Sequence, residues 1–167
     1  MGLDAVVFCD CVEKKRLKVP HPYPRLLYIS PNDSPEIRSK DPEEIERHDE
    51  WMELPPCEHE AMMLGGCVLG NMSLVERVRD ALGEAPKPPL PRCSVLLGRV
   101  LYCGTHTRDH LTIAQVQRLA KELRQLKGLD LKRLCVSPQD QRLAMSIVTK
   151  LDKLISASRR IKKPIAF

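Results

Sequence analysis

Apolar and polar positions divide the chain into short alternating runs early and helical stripes late. Leu3 to Cys11 (LDAVVFCDC) predicts a strand, and Arg25 to Ser30 (RLLYIS) predicts a second. Between them, Pro20, Pro22 and Pro24 exclude helix and hold the backbone extended. Pro31-Asn32-Asp33-Ser34 is a turn cluster. Met62 to Leu69 is apolar with two glycines and predicts a strand with a bend, and Ser94 to Tyr102 (SVLLGRVLY) predicts another strand.

The helices announce themselves by their caps. Asp41 to Trp51 opens with Asp41 as N-cap, Pro42 as first residue and Glu44 as capping-box partner; it is acidic, predicted exposed, and closed by Pro55-Pro56. Ser73 to Leu82 has Ser73 and Glu76 as its box, with Leu74, Val78, Ala81 and Leu82 on one face. Thr112 to Leu126 pairs Thr112 with Gln115, carries Ile113, Val116, Leu119, Ala120, Leu123 and Leu126 as its stripe, and stops at Gly128. The last helix, Ser137 to about Arg160, is capped by Ser137 with Pro138 in its first turn. Leu143, Ile147, Leu151, Leu154 and Ile155 form its buried face.

Strands thus gather in the first 105 residues and helices in the last 55. That segregation predicts an α+β fold, a small mostly antiparallel sheet with two or three helices packed on one face. Pro86-Lys87-Pro88-Pro89-Leu90-Pro91 reads as a rigid connector, and the reading is one domain over residues 1–167.

Composition excludes more than it names. With 43 % apolar and 29 % charged residues in 167, the chain is no collagen, coiled coil, disordered polymer or disulfide knot. Charge is distributed unevenly. Residues 1–60 carry 8 basic and 14 acidic side chains, and residues 61–167 carry 19 basic and 8 acidic. The plainer reading is mutual attraction of the two halves within one fold; the functional one is oriented docking on a protein partner.

Seven cysteines, an odd number, and no visible secretory signal predict free thiols in a reducing cytoplasm. No apolar run reaches the ~20 residues needed to span a bilayer. Neither a myristoylation nor a prenylation pattern is present, since Val6 stands where the first needs Ser or Thr.

Three constellations bear on chemistry. Cys9-x-Cys11 with Cys57-x-His59 supplies three thiolates and an imidazole, a valid tetrahedral set for Zn²⁺. On an ideal strand the sulfurs of Cys9 and Cys11 would lie roughly 7 Å apart, so a shared metal demands a bend at Asp10. The alternative is that these cysteines are small buried core residues.

The second is Tyr102 to His110, where Cys103 with His106, or His106 with Asp109, would make a nucleophile–base or base–orienter pair. A loop capping the next helix explains the same residues. The third is the basic end: residues 113–167 hold 13 basic and 4 acidic side chains but Phe167 is their only aromatic, so nucleic acid is not expected. Walker, dinucleotide, G-x-S-x-G, H-E-x-x-H and EF-hand patterns are all missing.

Several segments together carry a likeness. They are Met1-Gly2-Leu3-Asp4-Ala5-Val6-Val7 with Cys9-x-Cys11, Cys57-Glu58-His59-Glu60, Gly70-Asn71-x-x-Leu74, Val100-Leu101-Tyr102-x-Gly104-Thr105-His106, and Lys163-Pro164-Ile165-Ala166-Phe167. As a set they resemble a family of small uncharacterised bacterial cytoplasmic proteins. The resemblance runs over most of the chain and implies one domain and a shared role for Cys9, Cys11, Cys57 and His59. It implies no activity or substrate.

Two functions follow as expectations. The first is a non-enzymatic, immunity- or adaptor-like binding protein of bacterial type with a protein partner, by analogy of size and character. The second is a zinc-binding domain, or a zinc-dependent hydrolase, using Cys9, Cys11, Cys57 and His59 with His106 nearby as ligand or base.

Overall fold

A computed structural model describes residues 2–59, 62–83, 93–102, 106, 109–128 and 137–167. Strand β1 (Gly2–Phe8) runs antiparallel to β4 (Met63–Asn71), with register shifts between Leu3 and Asp4 and between Val7 and Phe8. On the other side of β1 lies β6 (Ile165–Ala166), joined through Val6 and Ala166, and β5 (His110–Leu111) pairs with β6. The sheet order is β4-β1-β6-β5, and every pairing is antiparallel. A separate two-stranded ribbon pairs β2 (Leu27–Ile29) with β3 (Pro35–Ile37) around the predicted turn, where Asp33 has φ 63°.

The arrangement is α+β, as the sequence predicts. Alternation along β1 explains how the layers form: Leu3, Ala5 and Val7 are buried in the main core, whereas Asp4 is exposed. Helix α4 (Pro138–Ile161) lies against β1 and β4 and places Ile147, Leu151, Leu154 and Ile155 in that core. The helix packs onto β4 at Gly65, where a Cβ would make ordinary van der Waals contact with Ala157 Cβ at 3.7 Å. Helices α2 (Met72–Gly83) and α3 (Ile113–Gly128) flank α4.

Local capping chemistry works largely as read. Asp41 accepts from the Glu43 amide and opens α1 (Pro42–Glu53), and Ser137 accepts from the Asp140 amide. Thr112 and Gln115 satisfy each other's amides at 3.4 and 2.8 Å. Two details differ. Asn71, not Ser73, caps α2, its Oδ1 accepting from the Leu74 amide at 2.9 Å. Helix α1 is not wholly exposed, because His48 and Trp51 turn inward.

One element is corrected. Ser94 to Tyr102 is not a strand; it opens as a helical turn and continues as a π-helix over Leu96–Val100. The cause is non-local. Glu122, buried on α3, accepts from the Val95 amide at 3.0 Å, the Leu96 amide at 2.8 Å and the Ser94 hydroxyl at 3.3 Å. That carboxylate satisfies amides at the start of the turn that would otherwise be bare. Burial of Val95, Leu96, Val100 and Leu101 follows the wide turn.

The proline segment 86–91 lies outside the described residues. Strand β4 forms one end of the sheet, where Lys150 of α4 donates from Nζ to the Val68 carbonyl at 2.7 Å. Among the described residues no helix is long and apolar enough to cross a membrane.

Candidate metal centre

Beyond the end of β1 the chain enters a second, smaller core made of Cys9, Cys11, Trp51, Cys57 and Met62. The last ladder bond is from the Cys9 amide to the Met62 carbonyl, 2.9 Å. The chain then bends at Asp10 and enters a turn, in which the Lys14 amide returns to the Asp10 carbonyl and the Arg16 amide to that of Cys11. The Asp10 carboxylate fixes this bend by accepting from Lys14 Nζ at 2.5 Å and Arg16 Nη2 at 2.6 Å. Lys14 and Arg16 hold its carboxyl below the usual range despite burial. The bend that a shared metal requires is therefore built by residues four and six positions downstream.

The second pair arrives from the segment after α1. Pro55-Pro56 ends the helix, and the Pro56 carbonyl accepts from the amides of Lys18 and Val19, tying this segment to the first turn. Cys57 and His59 then face Cys9 and Cys11. One donor atom from each of the four lies within 4.8 Å of every other.

Three separations describe the cluster most closely. Cys9 Sγ is 3.7 Å from Cys57 Sγ, Cys11 Sγ is 3.4 Å from His59 Nδ1, and Cys57 Sγ is 3.6 Å from that nitrogen. Tetrahedral Zn²⁺, with bonds of about 2.3 Å to sulfur and about 2.0–2.1 Å to nitrogen, spaces its ligands about 3.8 Å for S···S and about 3.6 Å for S···N. Three of the six donor–donor edges match that length, and the other three lie within 4.8 Å. The His59 amide also points at Cys57 Sγ, 3.4 Å away, as a donor that offsets charge on a thiolate.

Burial also acts on the thiols themselves. Burial, with neighbouring Cys11 and Cys57, pushes the Cys9 thiol up to about 12, and burial raises Cys11 as well. Three sulfurs so placed shed their protons when a cation takes the centre, and a dication reduces the net charge of three thiolates to −1. Sulfur-rich tetrahedral sites select zinc among the common divalent ions. All five cysteines described, the other two being Cys67 and Cys93, are free thiols.

The other candidates fall elsewhere. His106 packs against Tyr102 and Phe167, with ring centroids 4.4 and 5.4 Å away, and does not line the cavity beside the cysteines. Its Nδ1 is 3.6 Å from Asp109 Oδ2, beyond hydrogen-bond reach, and that oxygen accepts from the Tyr102 hydroxyl at 2.7 Å. Burial lowers the His106 pKa. Cys103 lies outside the described residues.

Two groupings were not anticipated. His21 and His48, both buried, join Nε2 to Nδ1 at 2.9 Å, and the Tyr23 amide donates to His21 Nδ1 at 3.0 Å. The only hint in sequence is that His48 shares a helical face with Trp51, three residues on. A cavity of about 720 Å³ also opens beside Cys11 and His59, with Arg16, Lys18 and Arg160 on its walls. No sequence signal links Arg160 to the first twenty residues.

Comparison with protein-family models, curated proteins and solved structures yields no match, so the chemistry of the site carries the functional argument.

Proposed function

We propose that this chain is a zinc-stapled, non-enzymatic binding protein. Cys9, Cys11, Cys57 and His59 hold one Zn²⁺ that fastens the end of β1 to the segment following α1. The observation that carries the reading is the agreement of the three donor separations with a zinc tetrahedron. Four protein ligands close the coordination sphere, which supports a structural ion over a hydrolytic one that keeps a position for water.

The binding half of the reading rests on charge. An excess of acid in residues 1–60 and of base in residues 61–167 would orient the molecule on a protein partner, in the manner of immunity or adaptor proteins. Thiolate ligands persist in a reducing compartment, consistent with a bacterial cytoplasm.

The test is metal content and ligand identity. Native mass spectrometry of protein purified without chelator or affinity metal is expected to give one zinc per chain. Cobalt substitution is expected to give the visible and near-ultraviolet bands of tetrahedral thiolate coordination. Cys57→Ser should abolish both and Cys67→Ser neither. Metal-free protein that fails to bind added zinc ends the proposal.

A further inference from the structure

The cavity beside the cysteine cluster is assembled from four separated stretches: 10–18, 58–59, Leu64 of β4, and the end of α4 at Arg160 and Ile161. Its volume, about 720 Å³, lies within the range of small-molecule sites. Its charges do not cancel. The Asp10 carboxylate is committed to Lys14 and Arg16, and Glu58, the other carboxylate on the walls, makes no ion pair among the described residues. Lys18 and Arg160 have no carboxylate partner among the described residues.

With Lys14 held at Asp10, four cations (Lys14, Arg16, Lys18 and Arg160) stand against two carboxylates, Asp10 and Glu58, and the single negative charge of a zinc centre with three thiolates and an imidazole, which leaves one positive charge over. His59 adds direction. Its Nδ1 faces the sulfurs, so Nε2 lies on the outer edge of a ring that lines the cavity. With Nδ1 bound to metal, Nε2 carries the proton and is a donor held at a fixed angle. Leu64 and Ile161 supply an apolar wall.

Resting on the zinc reading for its fixed donor, we propose that this cavity binds a small organic anion through its phosphate or carboxylate group. Lys18 and Arg160 neutralise the anion and His59 Nε2–H orients it. Arg16, held by Asp10, forms the rigid side of the site. Its planar guanidinium suits an oxyanion, and the apolar wall accommodates the carbon skeleton.

The experiment titrates zinc-loaded protein with inorganic phosphate and, separately, acetate at constant ionic strength, followed by amide chemical shifts. We expect saturable shifts confined to residues 10–18, 58–59, 64 and 160–161. Lys18→Gln and Arg160→Gln should each weaken binding about fivefold or more, the loss of one charge-assisted contact. Arg118→Gln, on the exposed face of α3, should leave it unchanged. Saturation by phosphate alone assigns a phosphoryl ligand, and saturation by both assigns oxyanions generally.

Shifts that stay linear in anion, or that neither cavity variant alters, overturn the proposal. So do cavity variants that lower zinc occupancy and leave anion binding untouched, since the cations would then only balance the metal centre. Protein that holds no zinc yet binds phosphate through Lys18 and Arg160 would remove the metal reading and leave the cavity standing.

Discussion

Removing the metal should cost stability by an amount that the topology sets. The proposed ion joins Cys9 to Cys57 and Cys11 to His59, each pair 48 residues apart. Treated as one cross-link, closing a loop of that length in the unfolded chain is worth about 4 kcal/mol at 25 °C. For a chain of this size each kcal/mol moves the midpoint about 2–4 °C, so the melting temperature should fall by about 8–16 °C. The assay is differential scanning calorimetry of zinc-loaded protein against protein stripped by a strong chelator, with residual metal measured in both. Restoring one equivalent of zinc should restore the midpoint, and Cys57→Ser should melt where stripped protein does. If stripped protein, verified free of metal, melts within about 2 °C of the loaded form, the cross-link reasoning is refuted even if zinc binds.

Other outcomes follow from groups away from the metal. Burial lowers the pKa of His21 and His48 below 6.5, with Asp49 and Glu36 pulling His48 the other way. The unfolded chain then binds more protons than the folded one, so the contribution of this pair is present above about pH 6.5 and lost as pH falls towards the lowered values. Urea denaturation of wild type and His48→Gln should therefore diverge in slope below pH 6.5; parallel curves would count against it. Glu122→Ala leaves the Val95 and Leu96 amides buried without an acceptor and should cost about 2–6 kcal/mol, at about 1–3 kcal/mol per group, by urea denaturation. Glu122→Gln, which keeps an acceptor oxygen, should cost less. Ser137→Ala removes the cap of α4 and should cost about 1 kcal/mol by the same measurement, with the fold intact by circular dichroism.

What the sequence discloses depends on how far apart the partners are. The caps at Asp41, Thr112 and Ser137 are legible because donor and acceptor sit two or three residues apart. The α4 stripe is legible because its period is intrinsic to the helix. Ser94 to Tyr102 misleads, because an apolar run of that length fits strand or helix alike, and the deciding carboxylate stands more than twenty residues downstream at Glu122. Strands β5 and β6 have two residues each and exist only through their neighbours, so they carry no period to read. At the metal cluster the residue types are plain in the sequence. Their convergence turns on the Asp10 bend, whose supports at Lys14 and Arg16 look like any basic run until their partner is known.

The terminal position of β4 has a bearing on how copies of this protein meet. An outermost strand offers free carbonyls and amides to any extended chain, and Val68 on this one is 56 % exposed. Lys150 lies across that rim with its ammonium on the Val68 carbonyl. A second copy adding its own strand there would have to displace the ammonium and strip water from it. The rim is thereby obstructed to templated stacking at Val68, the point where its side chains would most invite it.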